Sequence, residues 1–175
     1  FSTLFNRLLA SRTYRSGNLA NMSQVFDEIQ RLSDIEHGCY SRFYDRREYT
    51  ERFGYAVVEE EQVRELSRAF DADTIVSVAR ALTDRLADES GCLGLVCYAD
   101  DPAVSELVQF RIRRSAHYKR FDLRRILQEF GYQNGGGHEG AIGFRIPKAQ
   151  VRDLHAYVLE LIGRIETLME REEKA

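Results

Sequence analysis

The sequence has no long apolar segment and few cysteines, and each absence excludes a class of protein. No apolar run approaches the roughly 18 residues that a membrane-spanning helix needs, so we expect no association with a membrane. The three cysteines cannot all pair, and buried free thiols in a reducing cytoplasm explain them better than disulfides or a metal site. A net charge of −3 argues against a protein that coats nucleic acid non-specifically.

The sequence also lacks the common motifs of phosphate-handling enzymes. No Walker-type Gly-x-x-x-x-Gly-Lys occurs, and no Gly-x-Ser-x-Gly nucleophile motif. The four histidines are scattered without metal-ligand spacing: His37, His117, His138 and His155. We therefore expect this chain to carry no catalytic residue and to bind no metal or cofactor of its own.

The length allows one sizeable core, or one domain with an appended helical segment. The chain begins at Phe1, without an initiator Met or a basic start, so we expect no signal peptide. From the same observation we expect the chain to be a fragment of a longer protein.

The apolar pattern divides the chain near Phe53. We predict a helical segment over residues 1–53, with helices over about 1–10 and 18–35. Residues 37–53 alternate aromatic and charged side chains, which can mark a nucleic-acid surface but more often packs rings against a neighbouring element. That segment could equally serve a contact in a homodimer.

Residues 54–170 mix strand-like and helical patterns, which predicts an α/β domain. We expect residues 171–175 to form a charged tail. We predict a mixed β-sheet of four or five strands flanked by helices. The strand-like runs lie at 55–58, 92–98, 107–115 and 141–146, and the helical patterns at about 63–70, 73–90, 121–130 and 149–170. A turn at Asp100-Asp101-Pro102 makes the second and third runs a hairpin-like pair.

Five of the twelve glycines lie between Gly135 and Phe144. The run Gly135-Gly136-Gly137 has no Cβ atoms, so its backbone can approach a ligand closely and its N–H groups can form a concave anion site. His138 follows at once and adds a donor, an acceptor or a flat ring. The alternative for this stretch taken alone is a flexible turn before a strand.

A concentration of basic residues precedes the glycines. Residues 111–125 have a local charge balance of +6, from seven basic residues against Asp122: Arg111, Arg113, Arg114, Lys119, Arg120, Arg124 and Arg125. Such a run can be a solvated basic face. Because arginine suits phosphate oxygens and an anion-competent stretch follows, we keep phosphate binding as an equal interpretation.

These residues resemble a known family. The block Gly135–Phe144 resembles the Gly-Gly-Gly-His-x-x-Ala-Ala-Gly-Phe motif of the DHH-associated domain, and Arg114-Ser115 resembles the Arg-Ser pair that precedes it. That domain is the C-terminal substrate-binding domain of DHH-family phosphoesterases, of the oligoribonuclease, phosphoadenosine-phosphate phosphatase or RecJ-like type. The resemblance covers about residues 54–170. It departs where Ile142 replaces an alanine and where Tyr132-Gln133-Asn134 lengthens the approach to the glycines.

The resemblance implies a set of site residues. Gly135, Gly136, Gly137 and His138 would contact the substrate, and Arg114, beside Ser115, would hold a phosphate. Arg113 leaves the phosphate assignment open between two neighbouring arginines.

The resemblance also implies partners. A separate N-terminal catalytic domain with an Asp-His-His motif would bind two metal ions, usually Mn²⁺ (or Mg²⁺), and no Asp-His-His triplet occurs in these 175 residues. The substrate would be a phosphorylated nucleotide or a short single-stranded nucleic acid. We thus expect the substrate-binding half of a metal-dependent nuclease or phosphatase. A non-catalytic nucleotide- or RNA-binding module and part of an inorganic polyphosphatase stay open as alternatives.

Overall fold

The structure, a computed structural model, describes residues 22–100, 103, 105–132 and 134–174. The helices in this part of the chain are α1 (Met22–Tyr44), α2 (Glu60–Ala69), α3 (Ala72–Ser90), α4 (Arg124–Phe130) and α5 (Leu154–Glu173). The strands are β1 (Arg47–Tyr49), β2 (Phe53–Val58), β3 (Leu93–Ala99), β4 (Leu107–Arg114), β5 (Gly136–His138) and β6 (Ala141–Pro147). A single 3-10 turn, Lys148–Gln150, precedes α5. The helix predicted over residues 1–10, the start of the one predicted over 18–35 and most of the turn at Asp100-Asp101-Pro102 fall outside the described residues.

The described strands form one mixed sheet in the order β1-β2-β3-β4-β6-β5. Strands β2 and β3 are parallel and the other neighbours are antiparallel, and the parallel pair is joined through α2 and α3, as parallel strands require. The predicted α/β class and the β3–β4 hairpin are confirmed. The sheet has six described strands instead of the predicted four or five, because the three-residue strands β1 and β5 extend its two edges.

Strand β1 lies within residues 1–53, which we predicted to be a helical segment. Helix α1 also runs on to Tyr44, beyond the predicted end near residue 35. The aromatic side chains here pack within the chain: Phe43 is fully buried, and the hydroxyls of Tyr44 and Tyr49 donate to Glu89 of α3 at 3.0 and 2.6 Å. In the described residues, the aromatic side chains of this segment therefore pack against neighbouring elements of the same chain.

Strand β4 shows how the two faces of the sheet differ. Val108, Phe110 and Ile112 are buried in the core beneath α4 and α5, on what we call the closed face. The alternate residues Gln109, Arg111 and Arg113 are only partly buried and lie on the opposite face, which we call the open face.

Helix α3 covers only part of the open face. It packs against β2, β3 and β4, and it lies so close to β3 that a Cβ added to Gly94 would come 2.2 Å from the Thr83 carbonyl oxygen. Beyond the helix, the open-face side chain of Arg145 on β6 is exposed, as is all of β5. The sheet therefore presents an arginine-rich surface beside α3.

The three cysteines are free and buried, as predicted, and burial raises the pKa of each thiol. Among the helices of the described residues, none combines the length and the apolar content needed to cross a bilayer.

Candidate phosphate-binding cleft

The glycine stretch forms an edge strand and a tight reversal, where we expected a glycine loop. Gly136 pairs with Gly143, Gly137 with Ile142 and His138 with Ala141, so β5 and β6 are joined by only two residues. Successive N–H groups of an extended strand point to opposite edges of that strand. Three successive amides therefore do not converge on one anion in the way that a concave turn would allow.

The glycines have different structural roles. Gly137 has a φ of +146°, and a Cβ there would come 2.1 Å from the Ala141 carbonyl oxygen, so the fold requires glycine at this position. A Cβ on Gly136 would meet nothing within 4 Å. The fold does not need glycine at position 136, which leaves its bare backbone open to a ligand.

His138 is exposed and its orientation is set by the reversal after β5. The Gly140 N–H donates to Nδ1 at 3.2 Å, so the neutral ring carries its proton on Nε2. The ring also lies against the Gly140 backbone, since a Cβ on Gly140 would be 3.6 Å from Cε1. Nε2–H is thus the ring's donor for a ligand oxygen.

The exposed β5 strand borders a cavity of about 270 Å³ between α3 and the open face. The cavity is lined by three arginines from two elements together with the glycine strand: Arg80, Arg111, Arg113, Gly136, Gly137 and His138. We call this cavity the arginine cleft. Its charge comes from side chains that are separated by up to 33 positions in sequence and meet because α3 packs against β4.

Two of these arginines retain binding capacity towards the cleft. Arg113 is 39% exposed and its Nε makes one ion pair, at 3.1 Å to Asp84. Burial raises the pKa of Asp84, against the opposing effect of Arg113, so the carboxylate is a less stable anion than an ordinary aspartate. Among the described residues, the buried Nε of Arg111 has no hydrogen-bond partner. The guanidinium donors of Arg113 outside this ion pair can bind phosphate oxygens.

Arg114 and Ser115 occupy a different environment. Arg114 is 10% exposed, and its Nη1 donates to the carbonyl oxygens of Phe121 at 2.7 Å and Lys119 at 3.2 Å. Ser115 is 2% exposed and donates to Asp88 at 3.2 Å. Both residues hold the segment that follows β4.

Four of the seven predicted site residues therefore line one cavity: Arg113, Gly136, Gly137 and His138. Gly135 lies behind the strand, where a Cβ would come 2.6 Å from Leu127. Arg114 and Ser115 support the chain next to the cleft. Whether each of the seven contacts a substrate stays a prediction.

The basic run over residues 111–125 does not form one surface. Arg124 binds Asp122 at 2.6 Å, and Arg125 binds Glu172 of α5 at 2.6 Å. The sequence indicated Arg111 only as a member of the basic run, and it gave no indication of Arg80. The alternation along β4 places Arg111 on the face of Arg113, whereas no local signal connects Arg80 to the glycines.

The described residues contain no group of three or more His, Cys, Asp and Glu side chains that could hold a metal ion. The cleft is a cationic surface whose described side chains carry hydrogen-bond donors.

Similar folds are found among solved structures. No protein-family model matches the sequence, and no curated protein matches it. Among solved structures, an exopolyphosphatase-related protein from Bacteroides fragilis is 13% identical with a TM-score of 0.52, over 93% of this chain and 46% of that one. A pGpG-specific phosphodiesterase from Vibrio is 13% identical with a TM-score of 0.48, over 86% of this chain and 42% of that one.

The chain thus spans less than half the length of these two structures. The C-Ala domain of Aquifex aeolicus alanyl-tRNA synthetase, 18% identical with a TM-score of 0.42, matches 68% of this chain over 96% of its own length. At these identities the comparison shows a shared fold. A structure described as a DHH domain is also among the matches.

Proposed function

We propose that this chain is the substrate-binding part of a metal-dependent phosphoesterase of the DHH family. In this role, the arginine cleft holds the phosphates of a short oligonucleotide or a phosphorylated nucleotide. One observation carries the proposal: arginines from α3 and β4 meet the glycine strand and His138 at a single cavity.

The arginines, His138 and Gly136 each contribute differently to phosphate binding. The guanidinium groups of Arg111 and Arg113 neutralise charge and donate in a fixed planar geometry. His138 donates from Nε2, because Nδ1 already accepts from Gly140. The bare backbone of Gly136 lets a phosphodiester come close to the strand.

The hydrolytic step itself is assigned to residues outside this chain. An N-terminal domain with an Asp-His-His motif would hold Mn²⁺ or Mg²⁺ there, and the metal would supply an activated water. This chain contributes by binding and orienting the substrate, which lowers the entropic cost of reaching the reactive geometry.

Hydrolysis of inorganic polyphosphate is a second candidate. It is supported by the description of the B. fragilis structure as an exopolyphosphatase-related protein. Arginine donors in the cleft bind phosphate oxygens whether or not a base is attached, so the cleft alone suits both substrates.

Calorimetric titration of the 175-residue chain with a 5′-phosphorylated dinucleotide tests the proposal. Arg113→Gln removes a cleft cation, and we expect it to weaken binding about tenfold. Arg124→Gln is the matched control, because Arg124 binds Asp122 and does not line the cleft. Equal affinities of the Arg113 variant and the unaltered chain would reject the proposal.

A further inference from the structure

A second cavity, of about 360 Å³, adjoins the arginine cleft on the open face of the sheet. It lies between the start of α3, the helix α2 and the ends of β3 and β4. We call it the side pocket. Arg111 lines both cavities, so its side chain lies at the boundary between them.

The side pocket has one apolar wall and one polar wall. Phe70, Ile75 and Val76 form the apolar wall, from the α2–α3 junction and the first turns of α3. The polar wall comes from the strands and includes Gln109 and Arg145. A ligand group that fits both walls has an apolar flat surface and a hydrogen-bonding edge.

The polar wall is held in one arrangement. Gln109 Nε2 donates to Asp100 at 2.9 Å, and its Oε1 accepts from Arg145 Nε at 2.9 Å. The Gln109 side-chain amide is therefore held between the Asp100 carboxylate and the Arg145 guanidinium, and these two contacts fix its orientation. This chain of contacts places polar side chains along the wall that faces the apolar one.

Arg111 lies at the boundary between the side pocket and the arginine cleft. It is next to Arg113 on the open face, two residues along β4, which corresponds to roughly 7 Å in a strand. Its Nε is buried and, among the described residues, lacks a hydrogen-bond partner. Because Arg111 borders both cavities, a group with its phosphate in the arginine cleft can place its neighbouring part in the side pocket.

We propose that the side pocket binds the base of a nucleotide whose phosphate occupies the arginine cleft. This inference rests on the proposed function and narrows it to nucleotidic substrates. A planar heterocycle would lie along Phe70, Ile75 and Val76 and direct its polar edge to the strand side. Inorganic polyphosphate has no part that would use the apolar wall, so the side pocket gives the protein a preference for nucleotides.

Binding to the 175-residue chain tests the inference, with a 5′-phosphorylated dinucleotide and inorganic pyrophosphate as two separate probes. Stacking of a base on an apolar wall should make the dinucleotide bind about tenfold or more tightly than pyrophosphate. Val76→Phe fills the side pocket from α3, and we expect it to abolish this difference while pyrophosphate affinity stays the same. Ser67→Phe fills the pocket independently from α2 and should do the same.

Ala81→Phe is the control, because Ala81 is an exposed residue of α3 that does not line the side pocket. Saturation-transfer NMR on the base protons should give a signal with the unaltered chain and with Ala81→Phe, and none with either filled variant. If a filled and folded variant keeps the dinucleotide preference, the inference fails while the proposed function stands. If neither probe binds the unaltered chain, both fail.

Discussion

Arg113 and Arg114 are adjacent in the sequence and point to opposite faces of the sheet. Arg113 lines the arginine cleft, whereas the partly buried Arg114 donates to the carbonyl oxygens of Phe121 and Lys119. The pleat of β4 separates the two because consecutive strand residues alternate between faces. A basic pair that looks like one patch in the sequence therefore supplies one binding group and one structural group.

Alanine substitutions at the two positions should separate these roles. Arg114→Ala removes the donor to two carbonyl oxygens, and we expect the free energy of unfolding to fall by about 2 kcal/mol. Arg113→Ala breaks only a partly exposed ion pair with Asp84, which should cost about 0.5 kcal/mol. Urea denaturation of both variants measures the difference. A larger loss in the Arg113 variant would contradict the assignment.

The same substitution at two neighbouring glycines should have opposite consequences. Gly137→Ala forces a side chain into a positive φ and against the Ala141 carbonyl, so we expect a loss of about 2 kcal/mol or more. Gly136→Ala meets no neighbouring atom and should change stability by less than about 0.5 kcal/mol.

Affinity for the 5′-phosphorylated dinucleotide separates structure from function at Gly136. A methyl group there would hold a ligand away from the strand, so we expect weaker binding by a folded variant. Thermal denaturation and calorimetric titration of the two variants provide both measurements. Full affinity in the folded Gly136→Ala variant would show that the ligand does not approach this backbone.

Tyr132 anchors the glycine strand from the closed face. Its ring stacks on Phe144 of β6 at 4.1 Å between centroids, and its hydroxyl is 3.0 Å from that of Tyr157 on α5. Tyr132→Ala should lower the free energy of unfolding by about 3 kcal/mol, and Tyr132→Phe by about 1 kcal/mol, because only the alanine variant loses the stacked ring. Chemical denaturation of both variants gives the comparison, and equal losses would argue against a packing role for the ring.

Glu48 connects edge strand β1 to α5 and should make the stability of this edge depend on pH. Its hydrogen bond with His155, at 2.8 Å, holds the pKa of the carboxyl below its ordinary value of 4.5, and Tyr55 adds a second bond at 2.9 Å. A depressed pKa in the folded state stabilises the fold above the unfolded pKa. This contribution is lost as the pH falls through the lower, folded pKa.

Glu48→Gln should therefore be less stable than the unaltered chain near neutral pH, by about 0.5 kcal/mol because the pair is partly exposed. Below the folded pKa of Glu48 the two proteins should have the same stability. Denaturation across this pH range is the measurement. A difference that persists unchanged into acid would mean that the charge on Glu48 is not its cause.

The part of the fold that follows from local patterns could be predicted from the sequence. The continuous apolar run that became β3 and the alternation in β4 each specify a strand. The β1 strand could not be predicted in this way, since Arg47–Tyr49 is short and fully exposed, and it joins the sheet by backbone pairing with β2.

The candidate site was predictable in composition but not in geometry. The Gly-Gly-Gly-His motif identified the edge of the site, yet the run of glycines suggested a loop because glycine favours turns more than strands. Pairing with β6 overrides that preference. Arg80 could not have been identified, because it meets Arg113 only through the packing of α3 on the sheet.

The most direct test of the account is a ¹H–¹⁵N NMR titration of the 175-residue chain with the 5′-phosphorylated dinucleotide. We expect saturable shifts at the amides of Gly136, Gly137 and His138 and along β4 at Arg111 and Arg113. In the Arg113→Gln variant, all of these shifts should saturate only at a higher dinucleotide concentration. An absence of saturable shifts, or shifts confined to the surface around Arg124 and Arg125, would contradict the assignment of the arginine cleft as the phosphate-binding site.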